Sequence, residues 1–339
     1  MTSVPALGPD ADVLAIVVAR IGDTLLVTPA LRALKAAMPQ GRLTVLAHRR
    51  RACLLANLPF IDHLGTISKH SAPWRGRQPL PRHDLALVWG NDRPLVAYGL
   101  RRARIVVTFE TPGLPDSPRL VRVPGPQASI HAVRERLLLA EAAGISSREL
   151  RLAYAVTPEE AEAARRWLIA QGAGKPVIGI QPASFPTKPH RDWPVASFAG
   201  LLQGLAAGFP AASFVILGDK ESADAGRQLR TVAGGRVIVA SGQFDLRRSA
   251  ALIGELDLYV GVDTGPTHIA GALGIPMVAL YHCSYPGRNL APLEHPGLHM
   301  IEHPATGLPE AGTARSMAEI PVETVRRAAM DLLDRRLQP

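Results

Sequence analysis

The chain has 339 residues, of which 47% are hydrophobic and 20% charged, a composition that supports a large core and argues against wholesale disorder. Its two cysteines, Cys53 and Cys283, form no CxxC pair, which excludes a disulfide framework and is typical of a reducing compartment. The net charge is +9, and the excess lies wholly in residues 1–170, which hold 23 Lys and Arg against 14 Asp and Glu.

The first half alternates short apolar runs with longer amphipathic stretches, the pattern of a parallel sheet covered by helices. Its first apolar run, 13–19, has no basic leader and is too short for a signal peptide or a membrane span, which predicts a cytoplasmic protein. We predict strands over 13–19, 43–47, 85–89 and 104–109, and helices over 24–38 and 131–143. Segment 70–82, rich in Pro and Arg, is predicted to be a mobile surface loop.

The second half repeats this rhythm. We predict strands over 177–181, 213–218, 236–240, 258–262 and 276–281, and helices over 194–207, 221–233, 246–255, 266–274 and 321–337. Between the halves, Thr157 and Glu160 form a predicted capping box that starts a helix, and GAGKP (172–176) ends that helix as a hinge. The predicted organisation is an N-terminal Rossmann-like domain (1–156), a connecting helix and linker (157–176), a C-terminal Rossmann-like domain (177–320) and a last helix (321–339) that packs back on the first domain.

Neither half carries GxGxxG or GxxxxGK[ST], so a phosphate site must be built differently. We predict one at VDTGPTH (262–268), where a strand ends and a helix begins. Asp263 or Thr264 can cap that helix, Gly265 allows close backbone approach, and the helix N-terminus attracts anions. His268 can face the same site. A well-capped core helix packed through small residues explains the same pattern and stays open as the alternative.

Two further loops follow strands at the same predicted edge. The loop QPASFPTKPHRDWP (181–194) combines hydroxyl groups, among them Ser184, with the cations Lys188 and Arg191, which can neutralise a diphosphate. Solvated charges on a surface loop are the alternative. In LGDKES (217–222), Asp219 or Glu221 can accept hydrogen bonds from sugar or nucleoside hydroxyls, although acids are common at any helix N-terminus.

Asp23 follows Gly22 at the end of the first predicted strand. It is either a simple N-cap or, if it faces the interdomain cleft, a general base for an attacking hydroxyl. The basic first half can face an anionic lipid headgroup, a phosphorylated glycan or a nucleic acid, or can be only a solvated surface. Because aromatic residues make up 5% and do not interleave with HRRR (48–51) or RRAR (101–104), nucleic acid is disfavoured.

Three segments together resemble glycosyltransferase family 9, the ADP-heptose:lipopolysaccharide heptosyltransferases. They are RIGDTLLVTPALRAL (20–34), KPHRDWPVASFAGLL (188–202) and the block from Ser241 to Tyr281 that contains VDTGPTH, and the similarity runs over about residues 13–290. The resemblance implies a GT-B fold, in which two Rossmann-like domains with parallel sheets face each other across a cleft. It also implies an inverting, metal-independent transfer of heptose from ADP-heptose to a lipopolysaccharide inner-core or related acceptor, with no cofactor.

The resemblance also assigns residues. Asp23 is implied as the catalytic base. The implied donor-binding residues are Ser184, Lys188, Arg191, Glu221, Asp263, Thr264, Gly265 and His268. The chain departs from the family at Val17, where many members carry Arg, and at Gln181-Pro182-Ala183, which replaces a frequent Pro-Gly-Ala turn. Both departures bear on the donor's identity more than on the fold.

The acceptor is expected to be an anionic glycolipid met at the cytoplasmic membrane face, with Arg49, Arg50 and Arg101 as candidate contacts. No metal site is predicted, because the only Asp-x-Asp, Asp10 and Asp12, lies in an N-terminus expected to fray, and the His-rich segment 282–303 matches no zinc spacing. Three alternatives stay open. They are a sugar-nucleotide epimerase of similar architecture, a transferase for a protein acceptor or for another sugar, and a non-catalytic nucleotide-sugar binder.

Overall fold

The computed structural model describes residues 4, 6–75, 82–90, 92–185 and 187–337, so residues 76–81 of the predicted loop 70–82 lie outside the described residues. Residues 72–75 of that segment form a short helix instead of a loop. The chain divides into two compact units between Ala155 and Val156. Each unit holds one six-stranded sheet in which the pairs of neighbouring strands run parallel. Among the described residues, no helix is both long and apolar enough to cross a membrane.

The first unit begins with a strand and follows the predicted alternation of strands and helices. Its strands are β1 (Asp12–Val17), β2 (Arg42–Ala47), β3 (His63–Thr66), β4 (His83–Trp89), β5 (Ala103–Phe109) and β6 (Leu120–Val123). Its helices are α1 (Ile21–Leu26), α2 (Thr28–Ala37), α3 (Ala72–Arg75), α4 (Arg93–Arg102) and α5 (Ala132–Glu141). The strand order is β3-β2-β1-β4-β5-β6.

The second unit has the same topology. Its strands are β7 (Val177–Gln181), β8 (Ser213–Ile216), β9 (Val237–Val239), β10 (Leu258–Val262), β11 (Met277–Tyr281) and β12 (Leu298–Glu302), in the order β12-β11-β10-β7-β8-β9. Its helices are α6 (Pro158–Ala170), α7 (Val195–Gly208), α8 (Ser222–Ala233), α9 (Leu246–Gly254), α10 (Gly265–Leu273), α11 (Gly287–Leu290) and α12 (Val322–Leu337). Strands β7, β10 and β11 are buried along their whole length, which is why they read as unbroken apolar runs.

Both sheets have a topological switch point, where the first strand of the unit lies beside the fourth. In the first unit β1 pairs with β4, and in the second β7 pairs with β10. Connections leave these strand pairs in opposite directions, so a crevice opens at their carboxyl ends, where open α/β sheets bind ligands. The loops that the sequence singled out, after β1, β7 and β10, all start at these two points.

The predicted helix over 24–38 is two helices, α1 and α2, separated at Val27. Pro29 accounts for the break, because it has no N–H to donate and its ring opposes a carbonyl one turn earlier. Thr28 Oγ1 bonds the Leu25 carbonyl at 2.6 Å. The break ends α1 after Leu26, and because α1 begins at Ile21, Asp23 lies in its first turn.

Two expectations about the termini are corrected. Asp12 is the first residue of β1, where it binds His83 Nδ1 at 2.7 Å and Arg42 Nη2 at 2.9 Å. Burial opposes ionisation of Asp12, but these hydrogen bonds outweigh it and hold its pKa below the usual value. The last helix, expected on the first domain, instead buries Val325, Ala329 and Leu333 in the core of the second unit.

The connecting helix predicted over 157–176 begins with the expected capping box of Thr157 and Glu160. It belongs to the second unit, where α6 packs on α9. Arg247 of α9 binds the Glu160 carboxylate and lowers its pKa. Arg165 of α6 also pairs with Glu255 at 3.1 Å, so two salt bridges and helix packing fix the helix to the second unit.

Candidate active site

The N-terminus of α10 lies at the switch point of the second sheet. Thr264 is the N-cap residue, and its side chain makes no capping hydrogen bond, so the predicted side-chain cap is absent here. Thr267 Oγ1 instead bonds the last carbonyl of β10, at Val262, at 2.6 Å, and pairs with the Tyr259 hydroxyl at 2.8 Å. Burial raises the pKa of Tyr259 well above its usual range, so that hydroxyl keeps its proton. These bonds fix how the helix leaves the strand.

Gly271 sets how closely α10 approaches the chain after α11. A Cβ added at Gly271 would lie 2.2 Å from Pro292 Cγ, so only glycine fits. The small residue at position 271 of α10 therefore serves helix packing, as expected for the alternative of a core helix packed through small residues. That packing and an anion site at the helix N-terminus are compatible, because they use opposite ends of the same helix.

Arg191 and Asp263 form a buried ion pair beside this helix N-terminus. Arg191 Nη2 bonds the Asp263 backbone carbonyl at 2.6 Å and also the Asp263 carboxylate. The two residues are 8% and 4% exposed. His268 Nε2 lies 3.6 Å from the other carboxylate oxygen. The structure thus brings together three of the predicted donor-binding side chains, one each after β7 and β10 and one on α10.

The loop after β7 carries the second cation. Lys188 Nζ donates to the Tyr285 hydroxyl at 3.1 Å, and the Arg191 guanidinium lies 4.7 Å from the centre of the same ring. Ser184 shapes this loop, because its N–H donates to Asp192 at 2.6 Å and its hydroxyl donates to the Lys188 carbonyl at 2.9 Å. Tyr285 was not predicted from the sequence. Its only signal was its position shortly after a buried strand, at the edge where the other loops meet.

Glu221 is the predicted donor-binding residue that the structure sets apart. It is exposed just before α8, and no hydrogen bond or ion pair joins it to Arg191 or Asp263 among the described residues. The neighbouring Asp219 accepts hydrogen bonds from the Ser222 amide and hydroxyl at 3.2 and 3.1 Å, which makes it a cap of α8. Helix capping therefore explains the acidic residue at position 219.

Asp23 lies at the switch point of the first sheet, in a cavity of about 590 Å³. Arg136 Nη2 bonds its carboxylate at 3.2 Å, and Arg136 Nη1 bonds Glu135 at 3.0 Å. At the end of β4, the Trp89 indole N–H donates a hydrogen bond to the Arg136 carbonyl at 2.8 Å. Asp23 is not a side-chain N-cap but a partly exposed carboxylate in a cavity, as a general base requires. No local pattern in the sequence marked Arg136 as its partner.

A second, basic cavity of about 570 Å³ follows β2 and β3. The residues that line it include His48, Arg49, Arg50, Arg51 and Arg75. Burial lowers the pKa of His48, and the neighbouring arginines lower it further. Arg101 is not among the lining residues and bonds the Ala72 carbonyl at 3.0 Å. Of the three predicted acceptor contacts, the structure therefore groups Arg49 and Arg50 and separates Arg101.

Two histidines of segment 282–303 bind the backbone of neighbouring loops. His282 and His303 follow β11 and β12 and contact the backbone carbonyls of Arg315 and Ser316, each at 3.0 Å. Their Nδ1 atoms accept hydrogen bonds from the amides of Ser284 and Ala305. In the described part of the chain, no group of three or more His, Cys, Asp or Glu side chains is placed to hold a metal ion.

Comparison with known proteins agrees with this arrangement. A sequence model of glycosyltransferase family 9 (heptosyltransferase) matches residues 118–302. The lipopolysaccharide heptosyltransferase 3 of Escherichia coli is 24% identical over 282 residues, which cover 77% of this chain and 80% of that protein. The family match over residues 118–302 contains the α10 N-terminus, Lys188 and Arg191.

Solved structures confirm the fold. A family 9 glycosyl transferase from Veillonella parvula superposes with a TM-score of 0.80 at 20% identity, covering 97% of this chain and 99% of its own. The E. coli ADP-heptose lipopolysaccharide heptosyltransferase II superposes with a TM-score of 0.75 at 21% identity, covering 96% and 100%. Two Rossmann-like units, each with a parallel six-stranded sheet, are the components of the predicted GT-B fold.

Proposed function

The chain belongs to glycosyltransferase family 9, and on that premise we propose that it transfers heptose from ADP-heptose to an inner-core lipopolysaccharide or related acceptor. The observation that carries this proposal is the buried Arg191–Asp263 pair at the N-terminus of α10, with Lys188 and Arg191 against the same Tyr285 ring. It is a preformed site for a diphosphate. The E. coli relative described as an ADP-heptose lipopolysaccharide heptosyltransferase supports the choice of donor.

The second unit holds the leaving group in this proposal. As the bond between the anomeric carbon and the diphosphate breaks, the electron pair moves to the terminal phosphate oxygen of ADP. Lys188, Arg191 and the α10 N-terminus stabilise the charge that develops there. Asp263 keeps Arg191 in place, and Thr264, Gly265 and His268 lie where the donor's phosphates and sugar would bind.

The first unit supplies the base. Asp23 takes the proton of an acceptor hydroxyl, and the resulting oxygen attacks the anomeric carbon from the side opposite the diphosphate. One carbon–oxygen bond forms and one breaks, so the configuration at the anomeric carbon inverts. Arg136 fixes the direction of the Asp23 carboxylate through its bond to Oδ1.

We propose that the reaction needs neither a metal ion nor a cofactor. Lys188 and the α10 N-terminus supply positive charge to a diphosphate, and Arg191, whose charge Asp263 partly offsets, supplies N–H donors. Together these groups take the place of a metal ion in the proposal. The only Asp-x-Asp sequence is not available for metal bridging, because Asp12 is bound to His83 and Arg42 at the start of β1.

The basic cavity lined by Arg49 and Arg50 is the proposed contact for an anionic glycolipid acceptor. Because such an acceptor is embedded in a membrane, we propose that the protein contacts the inner membrane. We propose that it does so from the cytoplasmic side. Clustered arginines favour an anionic surface at ordinary ionic strength.

Calorimetric titration with ADP-heptose and with UDP and GDP sugars tests the donor. We expect ADP-heptose to bind most tightly, and a preference for UDP or GDP sugars would contradict the proposal. Product analysis with the donor alone separates a transferase from an epimerase, because an epimerase needs no acceptor. Transfer to lipid-linked core acceptors, with the anomeric configuration read by NMR, then tests acceptor and stereochemistry together.

A further inference from the structure

The loop between β11 and α11 places Tyr285 against the two cations of the donor site. Lys188 Nζ lies 3.1 Å from the tyrosine hydroxyl and 4.4 Å from the centre of its ring. The Arg191 guanidinium carbon lies 4.7 Å from the same centre. The His190 ring stacks at 27° to that of Tyr285, with centres 6.3 Å apart. One aromatic side chain therefore lies against Lys188, His190 and Arg191 of the loop after β7.

Two cations on one ring repel each other, so the arrangement needs compensation. Arg191 has it in the carboxylate and carbonyl of Asp263. Lys188 depends on Tyr285, whose ring face carries partial negative charge and whose hydroxyl accepts a hydrogen bond from the lysine ammonium group. The tyrosine therefore offsets the repulsion that would otherwise drive the flexible lysine side chain away from the arginine.

The Tyr285 backbone is fixed to the body of the second unit. Its N–H donates to the His282 carbonyl at 2.9 Å, and the Ser284 N–H donates to His282 Nδ1 at 3.1 Å. His282 Nε2 in turn contacts the Arg315 carbonyl at 3.0 Å. An aromatic group on such a turn loses little entropy when it binds a partner, because the turn is already ordered.

We propose that Tyr285 is a positioning residue for the donor, whose ring and hydroxyl keep Lys188 and Arg191 side by side where the diphosphate binds. This role rests on the proposed function. It predicts that Tyr285 matters for the phosphates of a nucleotide and not for its nucleoside. It further predicts that Tyr285 acts through Lys188.

The test is calorimetric titration of the full chain with ADP, AMP and adenosine at two salt concentrations. Tyr285→Leu should weaken ADP binding by about threefold to thirtyfold, the range expected for a partly desolvated cation–π contact, with a smaller loss for AMP and none for adenosine. Tyr285→Phe keeps the ring and should lose less. A double-mutant cycle with Lys188→Gln should show coupling, so that Tyr285→Leu costs little once Lys188 is gone.

Phe244→Leu is the matched control, because it removes an aromatic ring that packs on Trp167 within the second unit, and it should leave ADP affinity unchanged. Equal losses for ADP and adenosine, or additive effects with Lys188→Gln, would overturn the role and assign Tyr285 to general folding. Unchanged ADP binding in Tyr285→Leu would overturn the positioning role of Tyr285 and leave the proposed function intact. A wild-type chain that binds no ADP would overturn the proposed donor, and this role with it.

Discussion

The two sheets share one strand order, yet the residues at their switch points differ sharply in exposure. In the first unit, Asp23 and Arg136 have side chains 38% and 22% exposed and lie in an open cavity. In the second, Asp263 and Arg191 have side chains 5% and 9% exposed. A site that binds a diphosphate gains from charges fixed before the ligand arrives. A base must reach a separate substrate and release its proton, so its carboxylate stays accessible. The difference in exposure therefore matches the two tasks proposed for these sites.

The largest expected effect is loss of turnover in Asp23→Asn. The amide cannot accept the acceptor's proton, so we expect kcat to fall by about 100-fold to 10,000-fold. The measurement is transfer rate at saturating donor. Asp116→Asn replaces an exposed aspartate of the same unit and should leave the rate unchanged. Full activity in Asp23→Asn would contradict the assignment of Asp23 as the general base.

The next effect is on stability, and it distinguishes the buried Arg191–Asp263 pair from the partly exposed Arg136–Asp23 pair. Arg191→Met leaves Asp263 buried without its main cation, which should lower the free energy of unfolding by about 3–5 kcal/mol. Arg136→Met, at the partly exposed pair, should lower it by about 1 kcal/mol. Urea unfolding measures both. Equal losses would mean that the two switch points do not differ as their burial indicates.

A smaller effect tests how closely α10 is packed. Alanine normally stabilises a helix interior by about 1 kcal/mol relative to glycine. Gly271→Ala should instead destabilise by about 1–3 kcal/mol, because its Cβ meets Pro292. Gly254→Ala is the control, since the nearest atom to its added Cβ is 3.9 Å away. A stabilised Gly271→Ala would show that α10 can shift without cost.

The smallest effect is a dependence on pH through His282. Burial lowers the pKa of His282 below its ordinary 6.5, and His190, His303 and Arg191 add to the effect. The unfolded chain then binds a proton more readily, so stability from this group is full above pH 6.5 and declines as the pH falls toward the lowered value. The melting temperature of His282→Asn should fall less over this range than that of the wild type. His63→Asn, at an exposed histidine, should follow the wild type.

The sequence predicted the central strands well because burial on both faces leaves unbroken apolar runs, as in β7 and β10. It missed the edge strands β3, β6 and β12, which are only partly buried and carry mixed residues such as His63 and His299. It also joined α1 to α2, because the apolar spacing continues through the break that Pro29 imposes.

For the site, topology allowed part of the prediction. Residues at the carboxyl ends of β7 and β10 had to lie close together, which placed Arg191 near Asp263. The partners of Lys188 and Asp23 could not be found this way. Tyr285 is 97 residues from Lys188, and Arg136 is 113 residues from Asp23 within a helix that carries no motif. Contacts of this kind depend on side-chain direction, which periodicity does not encode.

The most direct test of this division of labour is ADP calorimetry on Asp23→Asn and Arg191→Met. We expect Asp23→Asn to bind ADP as the wild type does while its kcat falls by at least about 100-fold. We expect Arg191→Met to lose measurable ADP binding, with folding of both variants confirmed by circular dichroism. Weakened ADP binding in Asp23→Asn together with wild-type binding in Arg191→Met would contradict this division of labour.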